Sequence, residues 1–422
     1  MTVEGRGRHA GAALRERFDG TPAPPLPAGP HGSGTAPGHR TRRVLAGVAA
    51  TLAVALAVGL LLRARATESA GSPGGTWERL DIASTFGRGA GVGQVVAGGP
   101  GFVALGSVRH AGAGVGCAPP CATGAIWTST DGRTWRRVPP AALARATRSS
   151  LFSAAVHRGT IVVLTASGET LRSTDGRHWR RTGGIPAPPR WRVAWIWSGP
   201  RGFVVVADAG RGEPAWTYPV WTSADGTTWT AVSGTGTAEH PIGLPLGARL
   251  GHRRLTLGPS TLALGAPPVP AVFASDDGVH WTRLPATPPR RLALPLATSR
   301  DGRTVMGIQY EDPGTFGGRL WSTRDGVTWT EVTSFAAQMP VANPDHLTPA
   351  GRWWVLGGNR GTPDGNRRAS MWTSPDLRHW FEMPARLRGP ETQGGVVDLA
   401  HASGRVVGVA PGLAVWRWTP PE

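Results

Sequence analysis

Apolar positions along this chain come in short runs, each closed by a turn. SLFSAAVHRGTIVVLTAS (150–167) holds two such runs around Arg158-Gly159. Runs of this length, bounded by Gly or Pro, predict antiparallel strands. Equivalent turns fall at GGPG (98–101), SGPRG (198–202), LGPS (257–260), SRDG (299–302), TPAG (348–351) and ASG (402–404). Between these pairs a second hairpin recurs: WTSTDGRTW (127–135), LRSTDGRHW (171–179), WTSADGTTW (221–229), FASDDGVHW (273–281), WSTRDGVTW (321–329) and WTSPDLRHW (372–380). An apolar strand leads into Ser or Thr, any residue, Asp, Gly, any residue, Thr or His, then Trp. Asp-Gly at a hairpin centre predicts a type I′ turn, because Gly adopts φ > 0 freely and Asp tolerates it. In the last copy Leu377 replaces the Gly. The closing tryptophans, Trp135, Trp179, Trp229, Trp281, Trp329 and Trp380, are spaced by 44, 50, 52, 48 and 51 residues. Four short strands in a repeat of this length describe a propeller blade.

Seven inner turns accompany only six Asp hairpins. LAVWRW (413–418) has the strand that should precede an Asp turn, with Trp416 where other copies have Trp127 or Trp221. GGTWERL (74–80) has the strand that should follow one, with Trp77 in the closing position. Pairing the two completes a seventh blade from both termini and removes the edges of an open ring. The expectation is an all-β, seven-bladed β-propeller over residues 75–422. Six blades with an irregular segment is the alternative.

Residues 44–62, VLAGVAATLAVALAVGLLL, form an uncharged apolar run. At about 1.5 Å per residue, a helix of this length nearly spans a bilayer core of about 30 Å. Arg40, Arg42 and Arg43 precede it, so the positive-inside rule puts the N-terminus in the cytoplasm and the propeller outside, on a single-pass cell-membrane anchor. Residues 1–43 read as a disordered cytoplasmic tail and 63–74 as a linker. Cleavage near Ala64-Arg65-Ala66, releasing a secreted protein, is the alternative. Formal net charge is +18, and all 45 basic residues are arginine. They are scattered, with pairs at Arg136–Arg137 and Arg180–Arg181 and no dense run, which argues against nucleic acid. Attraction to anionic cell-surface polymers is compatible with this charge. Cys117 and Cys121, in CAPPC, suit a small disulfide in an oxidising compartment. The spacing is not CxxC, which argues against redox or haem chemistry.

The recurring hairpin resembles the Asp-box, or BNR, repeat of the sialidase-like β-propellers, whose consensus is Ser-x-Asp-x-Gly-x-Thr-Trp. Here the residue between Asp and Gly is missing. The resemblance covers nearly all of the chain beyond the apolar run. It implies that Asp131, Asp175, Asp225, Asp277, Asp325 and Asp376 are structural and lie on the face opposite the usual binding site. It does not imply one activity, because the superfamily includes glycosidases, receptors and assembly factors. Family sialidases use three arginines, a Tyr nucleophile paired with Glu, and an acid, with the first arginine in Arg-Ile-Pro. Here Ile185-Pro186 follows Gly184, and the only tyrosines are Tyr218 and Tyr310. Tyr310-Glu311 places adjacent residues on opposite faces of a strand.

Aspartates spread around a ring cannot converge on one substrate. Nor can His178, His280 and His379, which precede closing tryptophans in different blades, ligate one zinc ion. No metal site or cofactor is expected. Connections between second and third strands open on the face opposite the Asp turns. The long ones are 109–124, 208–219, 311–318 and 359–369, and loops gathered on a rigid ring are where binding usually lives. In the blade-three loop, Arg211, Trp216 and Tyr218 suit a sugar or a peptide, with Glu213 beside them. Trp191, Trp195 and Trp197 read as core on one strand face, and Trp353 and Trp354 as facing opposite ways. Two functions follow from different classes. One is a binding or scaffold module for a protein or glycan partner. The other is a glycoside hydrolase using Glu213, Glu311, Asp312 or Asp364, which requires two carboxyls about 5–9.5 Å apart.

Overall fold

A computed structural model describes residues 68–110, 122–143, 151–187, 192–208, 219–232, 237, 247–258, 270–310, 318–335, 341–361, 367–389, 395–396, 398–411 and 414–421. Contacts divide the chain into two units, Met1–Arg63 and Ala64–Glu422, and all described residues belong to the second. The apolar run 44–62 therefore lies outside the described residues. Among the described residues no helix is long and apolar enough to cross a membrane.

The second unit is a seven-bladed β-propeller. Six antiparallel sheets have four strands and the seventh has five. Blade one runs Ala90–Gly98, Gly101–Arg109, Ala122–Ser129 and Arg136–Arg137 from inside to outside. The second strand of each blade is apolar on both faces because each face meets a different neighbour. In blade one, Phe102 and Ala104 pack with Val407 and Val409 of blade seven. Val103 and Leu105 pack with Ala154 and Val163 of blade two. Trp353 and Trp354 divide in the same way between two inter-blade cores.

Closure uses both ends of the chain. Gly75–Leu80 pairs with Ala414–Thr419, with Trp77 opposite Trp418 and Arg79 opposite Trp416. The register matches the other blades: Trp127 lies opposite Arg137, two residues past Trp135, and Trp221 lies opposite Ala231, two past Trp229. Trp77 and Trp416 thus hold the positions that their spacing predicted. Glu68–Ser72, within the segment read as linker, pairs with Gly75–Leu80 as an additional outermost strand. The reversal needs Gly75. Its φ is +116°, and a Cβ there would stand 2.5 Å from both Thr419 O and Trp418 Nε1.

Three sequence expectations are corrected. The Asp hairpins are not two-residue type I′ turns, because the aspartates keep negative φ and only the following residue is positive, from Gly132 (+72°) to Leu377 (+65°). The side chain captures later amide groups, so the loop runs longer. In blade four the inner turn is Gly251-His252, between Ala248–Leu250 and Arg253–Gly258. Leu257 and Gly258 of LGPS instead end the second strand, so the sequence reading put the turn one strand too late. Finally, Trp195 is 38% exposed. A bulge between Val193 and Trp195 resets the alternation on which the core assignment rested.

Candidate functional site

Each aspartate is spent on its own loop. In blade one, Asp131 Oδ1 accepts from Arg133 N and Thr134 N, both at 2.9 Å. Ser129 Oγ donates to the same oxygen at 3.0 Å and accepts from Gly132 N at 2.8 Å. The pattern repeats at Asp175, Asp225, Asp277 and Asp325. Asp376 keeps its two amide bonds at 2.8 Å. His178, His280 and His379 each set Nδ1 2.6 Å from Oδ2 of their own loop aspartate. The three histidines are therefore each engaged by their own loop. Among the described residues no group of three His, Cys, Asp or Glu side chains is placed to hold a metal.

These bonds favour the charged carboxylate. The hydroxyl and amide of Thr227 hold Asp225 at about 2, against an ordinary 3.8. Burial pushes Asp277 up, but the His280 ring, the amides of His280 and Val279, and Ser275 outweigh it and hold it at about 2. Asp175 is lowered first by the His178 amide and then by its ring. A carboxyl depressed in the folded state stabilises fully above its unfolded pKa and loses that contribution as pH falls through the folded value. The propeller is thus expected to hold its structure down to about pH 4 and to lose stability between about pH 4 and 2. Tryptophan emission and circular dichroism across that range check this. Unfolding centred above pH 5 would contradict it.

The inner strands carry a second polar constellation, around the propeller axis. Gln94, Ser153, Trp195, His346 and Asp398 occupy equivalent register positions in blades one, two, three, six and seven. Gln94 Oε1 accepts from Ala154 N of the next blade at 2.9 Å. Asp398 Oδ2 accepts from Val95 N at 2.9 Å, and its Oδ1 lies 3.9 Å from His346 Nδ1. Burial pushes the Asp398 carboxyl up, against the opposing pull of His346 and the Val95 amide. Asp398 therefore ties blades six, seven and one together. Its only sequence signal is an acid opening an inner apolar strand, DLAHA.

The turn face carries a crevice of about 370 Å³ between blades three and four. Phe203, Val204, Val232 and Val279 form its apolar wall, with Arg201, Ala224 and the Asp277–His280 pair also lining it. Arg201 and Ala224 are exposed. The Gly199-Pro200 turn rests on the neighbouring loop, since a Cβ on Gly278 would lie 3.1 Å from Pro200 Cδ. Behind the wall, Arg254 Nη1 donates to Ser198 O at 2.7 Å, and its buried Nε has no acceptor. Burial lowers the Arg254 pKa to about 10, so it stays cationic at neutral pH. Among the described residues neither Arg201 nor Arg254 meets a carboxylate.

The ligand and catalytic candidates of the sequence reading, Arg211, Glu213, Trp216, Tyr218, Glu311, Asp312 and Asp364, lie outside the described residues, as do Cys117 and Cys121. The second strands that precede them in sequence end at Asp208, Tyr310 and Gly361. Ile185 is a core residue, packed beside Phe203 and Trp221.

No protein-family model matches the chain, and no curated protein matches it. Solved structures do. YCF48 from Cyanidioschyzon merolae is 11% identical, with 81% of this chain and 98% of that chain covered and a TM-score of 0.50. YCF48 bound to D1 peptide is 12% identical, with 84% and 100% covered and a TM-score of 0.51. A subtype N11 neuraminidase-like protein of A/flat-faced bat/Peru/033/2010 is 12% identical, with 74% and 99% covered, but its TM-score of 0.40 carries no argument. At these identities the similarity shows the propeller fold alone.

Proposed function

We propose that the chain is a membrane-anchored, extracytoplasmic β-propeller of the Asp-box kind that binds and positions a protein or glycan partner. The carrying observation is that every recurring aspartate is consumed by its own loop while the ring itself is closed by strands from both ends of the unit. Such a frame presents loops and crevices, and it leaves no repeated acid free for chemistry. The apolar run 44–62 and the arginines before it support the anchor. The YCF48 structure with a D1 peptide supports peptide binding as a use of this fold. Two assays on the full chain test the proposal. Alkaline extraction and external proteolysis of intact cells are expected to leave the protein in the membrane fraction with its propeller accessible. A panel of fluorogenic glycosides, sialosides included, is expected to give no turnover. Turnover lost in Glu311→Gln or Glu213→Gln would replace the binding module with a glycoside hydrolase.

A further inference from the structure

We infer that the crevice between blades three and four holds a neutral pyranose, the end unit of a partner glycan. This rests on the binding-module reading and chooses between its two partner classes. A volume of about 370 Å³ lies at the small end of ligand pockets, about 300–1,000 Å³. Val204, Val232 and Val279, with Phe203, give it an aliphatic and aromatic side. Arg201, Thr222, Ser223 and the Asp277–His280 pair make the rest of it polar.

The charge here is balanced. The lining carries one fixed cation, Arg201, and one anion, Asp277. Asp225 and Asp276 stand beside it, and each has a cation at hand. Arg253 Nε lies 3.3 Å from Asp276, and Arg172 Nε donates to the Asp225 carbonyl at 2.9 Å. Such a surface selects neither an acidic nor a basic segment.

The hydrogen-bonding groups that remain decide what enters. Ser223 Oγ is spent on Asp225 and on Gly226 N. Asp277 Oδ2 takes His280 Nδ1 at 2.6 Å, so the neutral ring donates from Nδ1 and offers Nε2 as an acceptor. Arg201 is exposed and offers only donors. Thr222 adds a hydroxyl, which does both. Donors thus come from blade three and an acceptor from blade four, beside an aliphatic surface. A hydroxyl donates and accepts through one atom, and a pyranose carries hydroxyls around a ring whose faces are C–H. It can serve Arg201, Thr222 and His280 while it covers the valines. A peptide side chain brings at most one hydroxyl and leaves a desolvated polar group unpaired, which costs affinity.

The test uses the full chain in a detergent without a sugar head group, followed by saturation-transfer NMR. The probes are methyl α-glucoside, methyl β-galactoside and methyl α-mannoside. At least one is expected to bind, with a Kd near about 1 mM. Its uronate and 2-amino counterparts, one anionic and one cationic, are each expected to bind at least about 5-fold more weakly. Arg201→Ala and His280→Phe are each expected to lose at least about 5-fold in affinity. Ala224→Trp, a substitution at an exposed lining residue, is expected to abolish binding. Circular dichroism confirms that each variant folds. The inference is overturned by no transfer up to about 50 mM of any probe, or by equal binding to Ala224→Trp and Arg201→Ala. Tighter binding of the capped peptide acetyl-Val-Thr-amide also overturns it and assigns the crevice to a protein. All three results leave the binding-module proposal intact, because that proposal fails only on glycoside turnover or loss of the membrane anchor.

Discussion

Trp418→Ala is expected to cost about 3–5 kcal/mol, the usual loss for emptying a buried tryptophan site, and to open the seventh blade. Trp418 is fully buried. Its ring centroid lies 6.1 Å from both Trp77 and Trp353, joining the N-terminal strand, the C-terminal strand and blade six. Its Nε1 donates to Gly74 O at 2.8 Å, and Thr373 Oγ1 donates to the same carbonyl at 3.0 Å. A domain has only about 5–15 kcal/mol of stability, so this loss is a large share. Trp418→Phe keeps most of the apolar contact and loses the hydrogen bond, for an expected cost of about 1–2 kcal/mol. Denaturant titrations followed by circular dichroism read both. A loss under about 1 kcal/mol for the alanine variant would mean that the ring does not depend on this closure.

The second large effect contrasts two blades at the same loop position. Gly226 has φ +79°, and a Cβ there would stand 2.3 Å from Val162 Cγ2 of blade two. Gly226→Leu adds a left-handed backbone penalty of about 1–2 kcal/mol to an overpacking cost of about 1–3 kcal/mol. Leu377 already adopts φ +65° in blade six, and it packs against the cluster that holds Phe335 and Trp372. Leu377→Gly relieves the backbone by about 1–2 kcal/mol and forfeits an apolar contact of similar size. Little net change is expected. The same titrations distinguish the two, and a clear gain in stability from Leu377→Gly would show that the loop geometry, and not the inter-blade contact, decides which residue is tolerated.

Most of the architecture was legible because it is written locally. The Ser-x-Asp-Gly pattern and the closing tryptophan recur within each hairpin, and the spacing of Trp77 and Trp416 alone placed the strands that close the ring. What required coordinates was non-local or depended on backbone detail. Asp-Gly suggested a tight turn, but the carboxylate binds amides two and three residues ahead, as from Asp131 to Arg133 and Thr134. One bulge moved Trp195 from the expected core to the surface. In blade four, Gly251-His252 carries the turn and gave a weaker signal than the Gly-Pro pair of LGPS. The crevice joins Arg201 to Val279 across two blades, and Asp398 reaches Val95 across the seam between the last blade and the first. No period along the chain encodes either pairing.

The closure also imposes an order on synthesis. Trp418 bonds to a carbonyl 344 positions earlier in the chain. Gly75–Leu80 is made first and must wait, with Trp77 unburied, until Ala414–Thr419 leaves the ribosome. At about 5–20 residues per second, that interval lasts from about 20 seconds to more than about a minute. Blades one to six can stack as they emerge, yet the ring has no final form until the last strand arrives. A chain that stops short of Ala414–Thr419 therefore leaves Gly75–Leu80 with an unpaired strand edge, a template for pairing with other chains.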